Sequence, residues 1–287
     1  MTPLTGVAEQ LGDGMPESPT PAENIILLSE EDFAKGARVH AAEGAGEEDP
    51  AAPSGNRASG SEPAQPEWLA DVERLKEAGG IPEKPLRYRF VKRAFDIAFS
   101  SCVIAVGLIP GLVLSAFIVA DTKGSPIYTS TRVGRNGVPF RILKFRSMVA
   151  DADDLEKYFT SEQLDEWHRE HKVDDDPRIT KLGAFLRSSS IDEFPQFINV
   201  LFGQMSTIGS RAVTAEEAEY YGEGKDFVLS MRPGITGLWQ TGPRNIATYE
   251  TGLRQKLELM YAEKASLKLD VRLFFKTFKT MKEQTGR

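Results

Sequence analysis

Ser190-Ile191-Asp192-Glu193 sets two adjacent carboxylates ahead of an apolar run made by Phe194, Phe197, Ile198, Leu201 and Phe202. A carboxylate can hold a divalent ion beside a diphosphate, or attack phosphorus and store the transferred group as an acyl phosphate. Arg178, Lys181 and Arg187 lie just upstream, and Arg211 follows. Guanidinium forks bind phosphate oxygens bidentately, so carboxylates among these cations suit a site that handles phosphate. Blander roles compete. An acidic pair in a first helical turn also serves the helix dipole, and arginines also face anionic lipid.

The elements that must position this set follow from the local pattern. Ser190 reads as an N-cap with Glu193 as its capping-box partner, and Pro195 is tolerated in the first turn. Met205–Ile208 is strand-like; Ile127–Val133 and Val138–Phe145 read as strands joined by the turn residues Arg135-Asn136-Gly137. A charged helix is expected over Val149–His171, where His168 and His171 stand three apart without a third metal ligand and read as a solvated face. Arg232–Gln240 is a turn-rich loop whose Trp239 would face substrate, membrane or core. Ser266–Lys282 forms a basic amphipathic helix, suited to packing on the body or lying on an anionic membrane. The expected fold class is α/β, mostly helical with a short β-hairpin.

Composition divides the chain. Residues 1–85 hold 6 of the 35 Lys/Arg and 17 of the 42 Asp/Glu, leaving 29 and 25 for the rest, so an acidic tail precedes a mildly basic body. Residues 1–66 bury too little apolar surface to offset chain entropy and are expected to be largely disordered. Two short helical islands interrupt the tail, at Ile25–Phe33 and Trp68–Leu75. The N-terminus lacks a signal-peptide pattern. The single Cys102 excludes an intramolecular disulfide and a cysteine-based zinc site. Nothing points to a nucleic-acid partner.

Ile97–Ala120 is 24 residues without a charge. A straight helix of that length reaches about 36 Å, against a bilayer core of about 30 Å. Pro110-Gly111 near its middle predicts a broken helix, and both flanks are basic: Arg87, Arg89, Lys92 and Arg93 before it, Lys123, Arg132, Arg135, Arg141, Lys144 and Arg146 after it. Cytoplasmic retention of both flanks favours a re-entrant segment over a spanning one. The expected divisions are therefore residues 1–85, the approach and membrane helix 86–123, and a cytoplasmic catalytic domain 124–287.

The order of a basic approach, a broken apolar helix, KFRSM (Lys144–Met148), DPRIT (Asp176–Thr180), SIDEFPQFINVL (Ser190–Leu201) and RPGITGLWQ (Arg232–Gln240) resembles the bacterial sugar transferases, monotopic polyprenyl-phosphate phosphoglycosyl transferases. The similarity covers about residues 86–285. It implies transfer of a sugar 1-phosphate from a UDP-sugar to polyprenyl (undecaprenyl) phosphate on the cytoplasmic face of the bacterial inner membrane, initiating exopolysaccharide or O-antigen assembly. By this resemblance Asp192 is the nucleophile and Glu193 binds Mg²⁺. Arg187 and Arg211 bind phosphate, and Lys144, Arg146, Arg178 and Arg244 join them as phosphate or substrate contacts. A homo-oligomer and downstream glycosyltransferases are compatible partners. The chain departs from the family pattern at Gly203-Gln204-Met205-Ser206 and Gly209-Ser210-Arg211-Ala212, where an acidic residue and two prolines are replaced, and at Gln240–Arg244. Loss of the prolines predicts a looser loop around Arg211. The altered Ser210-Arg211-Ala212 loop and the acidic tail motivate the alternative of a catalytically silent membrane-bound interaction protein; a hydrolase of lipid diphosphates is a third reading.

Overall fold

The computed structural model describes residues 66–170, 173, 175–242 and 247–282. The island at Ile25–Phe33, His171 and Arg244 lie outside them, as does the side chain of His168.

Helix α1 (Glu67–Glu77) precedes the long helix α2 (Leu86–Thr122), then strands β1 (Ile127–Val133) and β2 (Pro139–Phe145). These strands pair antiparallel, Ile127 opposite Phe145 and Val133 opposite Pro139. The turn between them puts Asn136 and Gly137 at positive φ, 55° and 79°, which is why an Asn-Gly pair suits it. The charged stretch that follows is two helices, α3 (Leu155–Tyr158) and α4 (Ser161–Glu170), instead of the single one expected. Phe159 is buried and extended between them, because its ring packs beneath Arg178 and beside Trp167.

Helices α5 (Lys181–Ser188) and α6 (Gln196–Leu201) bracket a 3₁₀ turn, Ile191–Glu193. Strand β3 (Ser206–Ile208) then pairs in parallel with β4 (Gly234–Thr236) across α7 (Ala215–Glu219) and α8 (Lys225–Val228). Helices α9 (Leu253–Lys264) and α10 (Leu267–Lys282) close the described chain. The architecture is thus mostly helical with a short hairpin, as the sequence implied.

The core has several centres. Tyr88 of α2 joins Ile208, Leu257, Tyr261, Leu269 and Leu273. Helix α1 docks through Trp68, Val72 and Leu75 onto Val213, Tyr221, Val228 and Leu259. A third cluster links β2 to α6 through Phe140, Ile142, Val200, Met205 and Ala212. Ile118, Phe145 and Leu186 form a fourth.

Helix α2 keeps helical hydrogen bonding on both sides of Pro110, so the chain does not leave the helix at the expected break. Proline removes one backbone donor, and a long apolar helix absorbs one missing hydrogen bond without ending there. The same body holds α2 at both ends. Near its start, Tyr88 Oη donates to Asp270 at 3.0 Å, and Arg93 donates to the carbonyls of Val200 and Leu201 at 2.7 and 2.8 Å. Asp96 accepts from Ser206 Oγ at 3.1 Å and Thr207 N–H at 2.8 Å. Near its end Ile118 and Thr122 are buried, and Ala150 N–H donates to the Thr122 carbonyl at 3.0 Å. In between, Gly107 lies so close to Phe194 that a Cβ would fall 2.2 Å from its ring. The opposite face presents Val106, Ile109, Leu112 and Phe117, each more than half exposed. Among the described residues α2 is the one helix long and apolar enough to cross a membrane, and 6% of its most apolar window is buried by the body.

Candidate active site

Thr180 caps α5, its Oγ1 accepting from Gly183 N–H at 2.9 Å. Gly183 is required there, because a Cβ would fall 1.8 Å from the Ser147 carbonyl oxygen. Helix α5 ends at Ser188, Ser190 turns into the left-handed region at φ 57°, and the 3₁₀ turn carries Asp192 and Glu193. The expected capping box is not formed: Ser190 makes no side-chain cap bond, and α6 starts after Pro195. The Glu193 carboxylate instead meets Lys144 of β2 at 3.1 Å, while Asp192 lies 3.6 Å from the same ammonium. A cation across the sheet outcompetes a local backbone donor for a full negative charge. A capping box does form one segment on, between Thr214 and Glu217.

Asp192 is 8% exposed. Burial raises its pKa above the ordinary carboxylate value; Lys144 and Arg187 oppose that shift and Glu193 adds to it. Arg187 is anchored through Nε to Ser147 Oγ at 2.8 Å. Asp192, Glu193, Arg187 and Arg211 all border one cavity of about 780 Å³, whose other wall is Phe99, Gly107 and Leu114 of α2 with Phe274 and Phe278 of α10. The acidic pair therefore sits where a polar end meets an apolar trough.

On its polar side a smaller recess is bordered by Arg132, Lys144, Glu193, Gln196, Arg211 and Gln240. Gln196 Nε2 and Gln240 Oε1 are buried without a hydrogen-bond partner, the state of groups awaiting a polar ligand. Gln196 went unread in the sequence, although it stands three residues after Glu193, a spacing that puts both on one face.

The Arg211 loop is pinned. Gly209 N–H donates to Thr236 at 2.8 Å, Gly234 N–H to Ser210 at 2.7 Å, and Arg211 N–H to Glu258 Oε1 at 3.1 Å. Ala212 packs in the β2–α6 cluster. The loosening expected from the lost prolines is thus offset by strand pairing. Gln204, at the position of the missing acidic group, accepts from Asn199 Nδ2 at 2.7 Å. The Arg211 guanidinium lies 5.1 Å from the Trp239 ring centroid, and Arg254 is sandwiched between Trp239 and Tyr249 at 4.4 and 4.0 Å. Trp239 itself donates to the Ala247 carbonyl at 2.9 Å.

Behind this loop lie two carboxylates that spacing alone did not single out. Glu217 meets Arg132 at 2.8 Å and Arg254 at 3.6 Å. Burial alone would raise its pKa, yet the Thr214 N–H and three arginines outweigh it and the net shift is downward. Glu258 is fully buried, and burial pushes it up to about 7 against the Arg211 N–H, Arg254 and Arg211.

Two other predicted residues are placed elsewhere. Arg178 is buried, forked onto Asp176 at 2.6–3.2 Å, donating to the Ala152 carbonyl at 3.0 Å and stacked against Phe159 and Trp167. Its role in the fold is to lock the loop before α5. Arg146 donates to the Ser125 carbonyl at 2.7 Å, beside the end of α2. Neither borders the cavity.

Residues 87–284 match the family model described as bacterial sugar transferase. The chain is 40% identical over 201 residues to a UDP-galactose-lipid carrier transferase of Erwinia amylovora, covering 69% of this chain and 42% of that protein. It is 37% identical over 201 residues to an undecaprenyl-phosphate galactose phosphotransferase of Salmonella typhimurium, again covering 69% and 42%. With the exopolysaccharide production protein ExoY of Rhizobium meliloti the identity is 38% over 204 residues, covering 69% of this chain and 89% of the relative. The chain thus spans about two fifths of the length of the first two relatives and most of the third. Four separate motifs in family order, an acidic pair beside an apolar trough and a match over 87–284 together place this chain in the bacterial sugar transferase family.

Proposed function

We propose that the protein transfers a sugar 1-phosphate from a UDP-sugar to polyprenyl phosphate in two displacements. An Asp192 carboxylate oxygen attacks the β-phosphorus, its bond to phosphorus forms, and the bond to the UMP oxygen breaks. A phosphate oxygen of the lipid then attacks the same phosphorus and releases the Asp192 carboxylate, leaving a polyprenyl diphosphate-linked sugar. The observation that carries this reading is the Asp192–Glu193–Lys144 cluster at the polar end of the α2-lined cavity. Arg187 and Arg211 border the place where the transferring phosphoryl must sit, and fixed cations there stabilise the charge that develops.

Among the described residues there is no group of three or more His, Cys, Asp or Glu, so an all-protein metal cage is not built. Magnesium needs only one or two carboxylates when substrate phosphates and water complete its shell, and Asp192 and Glu193 fit that requirement. Bound there through Glu193, Mg²⁺ would neutralise charge on the departing UMP.

The body's grip on both ends of α2 supports a re-entrant, monotopic arrangement at the cytoplasmic face of the inner membrane, since one body cannot occupy both sides of a bilayer. The apolar trough shared by α2 and α10 would receive the polyprenyl chain, and initiation of polysaccharide assembly follows from the lipid product. The hydrogen bonds that hold the Arg211 loop support the transferase reading over a silent interaction protein.

The test is UMP release by detergent-solubilised protein with Mg²⁺, polyprenyl phosphate and a panel of UDP-sugars, together with covalent labelling by the donor. Release with one sugar, and loss of both release and label in a folded Asp192→Asn variant, is expected. An Asn variant that still labels overturns the nucleophile assignment.

A further inference from the structure

A second cavity, of about 610 Å³, opens at the start of α2, bordered by Leu86, Phe90 and Arg93, by Arg135 of the hairpin turn, and by Ser230 and Arg232 before β4. Strand β3 separates it from the cavity of Asp192, with Ser206 bordering one and Thr207 the other. Three of its four arginines are held by neutral acceptors. Arg93 donates to the Val200 and Leu201 carbonyls at 2.7 and 2.8 Å, Arg135 to Ser230 at 3.0 Å, and Arg232 to Gly203 at 2.7 Å. Carbonyls fix a guanidinium without cancelling its charge.

Ion pairs at the rim belong to Lys92, with Asp270 at 2.7 Å, and to Arg89, with Glu83 at 3.4 Å; among the described residues none is made by Arg93, Arg135 or Arg232. Asp96 also borders the cavity, but it accepts from Ser206 and Thr207. Burial, followed by repulsion from Arg93 and Arg135, lowers the Arg232 pKa; the Asp96 carboxylate opposes that shift without reversing it, so positive charge dominates here. Positioned guanidinium forks of this kind call for a phosphate group. Beside them, Leu86 and Phe90 border the cavity yet remain 78% and 76% exposed, so the ligand's phosphate should carry hydrocarbon.

We propose that this cavity binds the phosphate headgroup of an anionic phospholipid, its chains lying along Leu86 and Phe90, at a site separate from the transfer centre. The site would set the depth and tilt of α2 in the leaflet. This rests on the membrane association of α2 put forward above, but not on the transfer reaction.

The test uses the full chain in non-ionic detergent, where no membrane surface potential operates, titrated with short-chain phosphatidylglycerol and followed by native mass spectrometry. One saturable lipid per chain is expected. Losing a charge-assisted bond in Arg135→Gln should weaken binding about tenfold. Arg87→Gln removes the same charge from α2 outside the cavity and should leave binding unchanged. Phe90→Ser, on an exposed position, should weaken the lipid while leaving binding of inorganic phosphate intact. Equal losses in Arg87→Gln and Arg135→Gln, or no saturable lipid, overturn the proposal. Inorganic phosphate competing as tightly as the lipid overturns the lipid source and assigns the cavity to a free phosphate. Wild-type lipid binding without UMP release would refute the transfer reading and leave this one standing.

Discussion

Asp192 is under opposing influences: burial favours its neutral form, and Lys144 and Arg187 favour the carboxylate that attack on phosphorus requires. Removing a cation tips that balance in a known direction. In Lys144→Met the Asp192 pKa rises further, so the acid limb of the kcat/KM profile should move to higher pH, with activity at neutral pH falling about tenfold or more. An unshifted limb would show that Lys144 does not tune Asp192. Glu258 offers a test that does not depend on turnover. Its folded pKa, about 7, lies above the ordinary carboxyl value of 4.5, so its stabilising contribution is complete below the unfolded pKa and is lost as pH rises through 7. The displacement amounts to about 3 kcal/mol. Denaturant unfolding of Glu258→Gln between pH 4.5 and 8 should show a flatter profile than the wild type, and matching slopes would refute the assignment.

At the scale of elements, α2 and the Asp192–Glu193 turn form one unit through Gly107 and Phe194. The Phe194 ring stacks on Phe145 with centroids 6.0 Å apart and leans on Phe197 at 6.5 Å, so displacing it disturbs both contacts. Gly107→Ala should therefore cost about 1–3 kcal/mol by overpacking, read as a lower melting temperature in detergent. Because Phe194 follows Glu193 directly, transfer should drop as well, and Phe194→Leu should recover part of both losses. An unchanged melting temperature in Gly107→Ala would mean that the contact is loose. Helix α1 is joined to the body in a similar glycine-dependent way: Gly252, at φ 68°, lets Trp68 approach to within 2.9 Å of where a Cβ would stand.

For the whole molecule, the consequence is an orientation. Both ends of α2 are fastened to the body that carries Asp192, and the face between them presents large apolar side chains. In a Cys102→Ser background, cysteines at Arg87 and Lys123 should both react with a membrane-impermeant maleimide from the same side, in inverted but not in right-side-out vesicles. Labelling from opposite sides would establish a span and refute re-entry. The exposed Phe275, Phe278 and Met281 of α10 add apolar surface beside the same cavity, so one face of the helix packs on the body while another presents apolar side chains outward.

Local pattern and motif order were enough to read the hairpin, α10, the apolar segment and the Asp192–Glu193 pair with Arg187 and Arg211. Alternation, Asn-Gly turn chemistry and a run of 24 uncharged residues each act over a few neighbours, so the sequence carries them directly. Contacts between distant residues decided the rest. Lys144 lies 49 positions from Glu193 and diverts it from the expected capping box. Arg178 turns to Asp176 and an aromatic sandwich instead of the cavity, and Glu258 stands 47 positions from the backbone it holds at Arg211. The helical state of α2 through Pro110 also belongs to the tertiary level, because a helix fastened to a body at both ends tolerates one missing hydrogen bond. Residue type thus determined which chemistry was available, whereas burial and charge partners brought together from far along the chain decided where each group could use it.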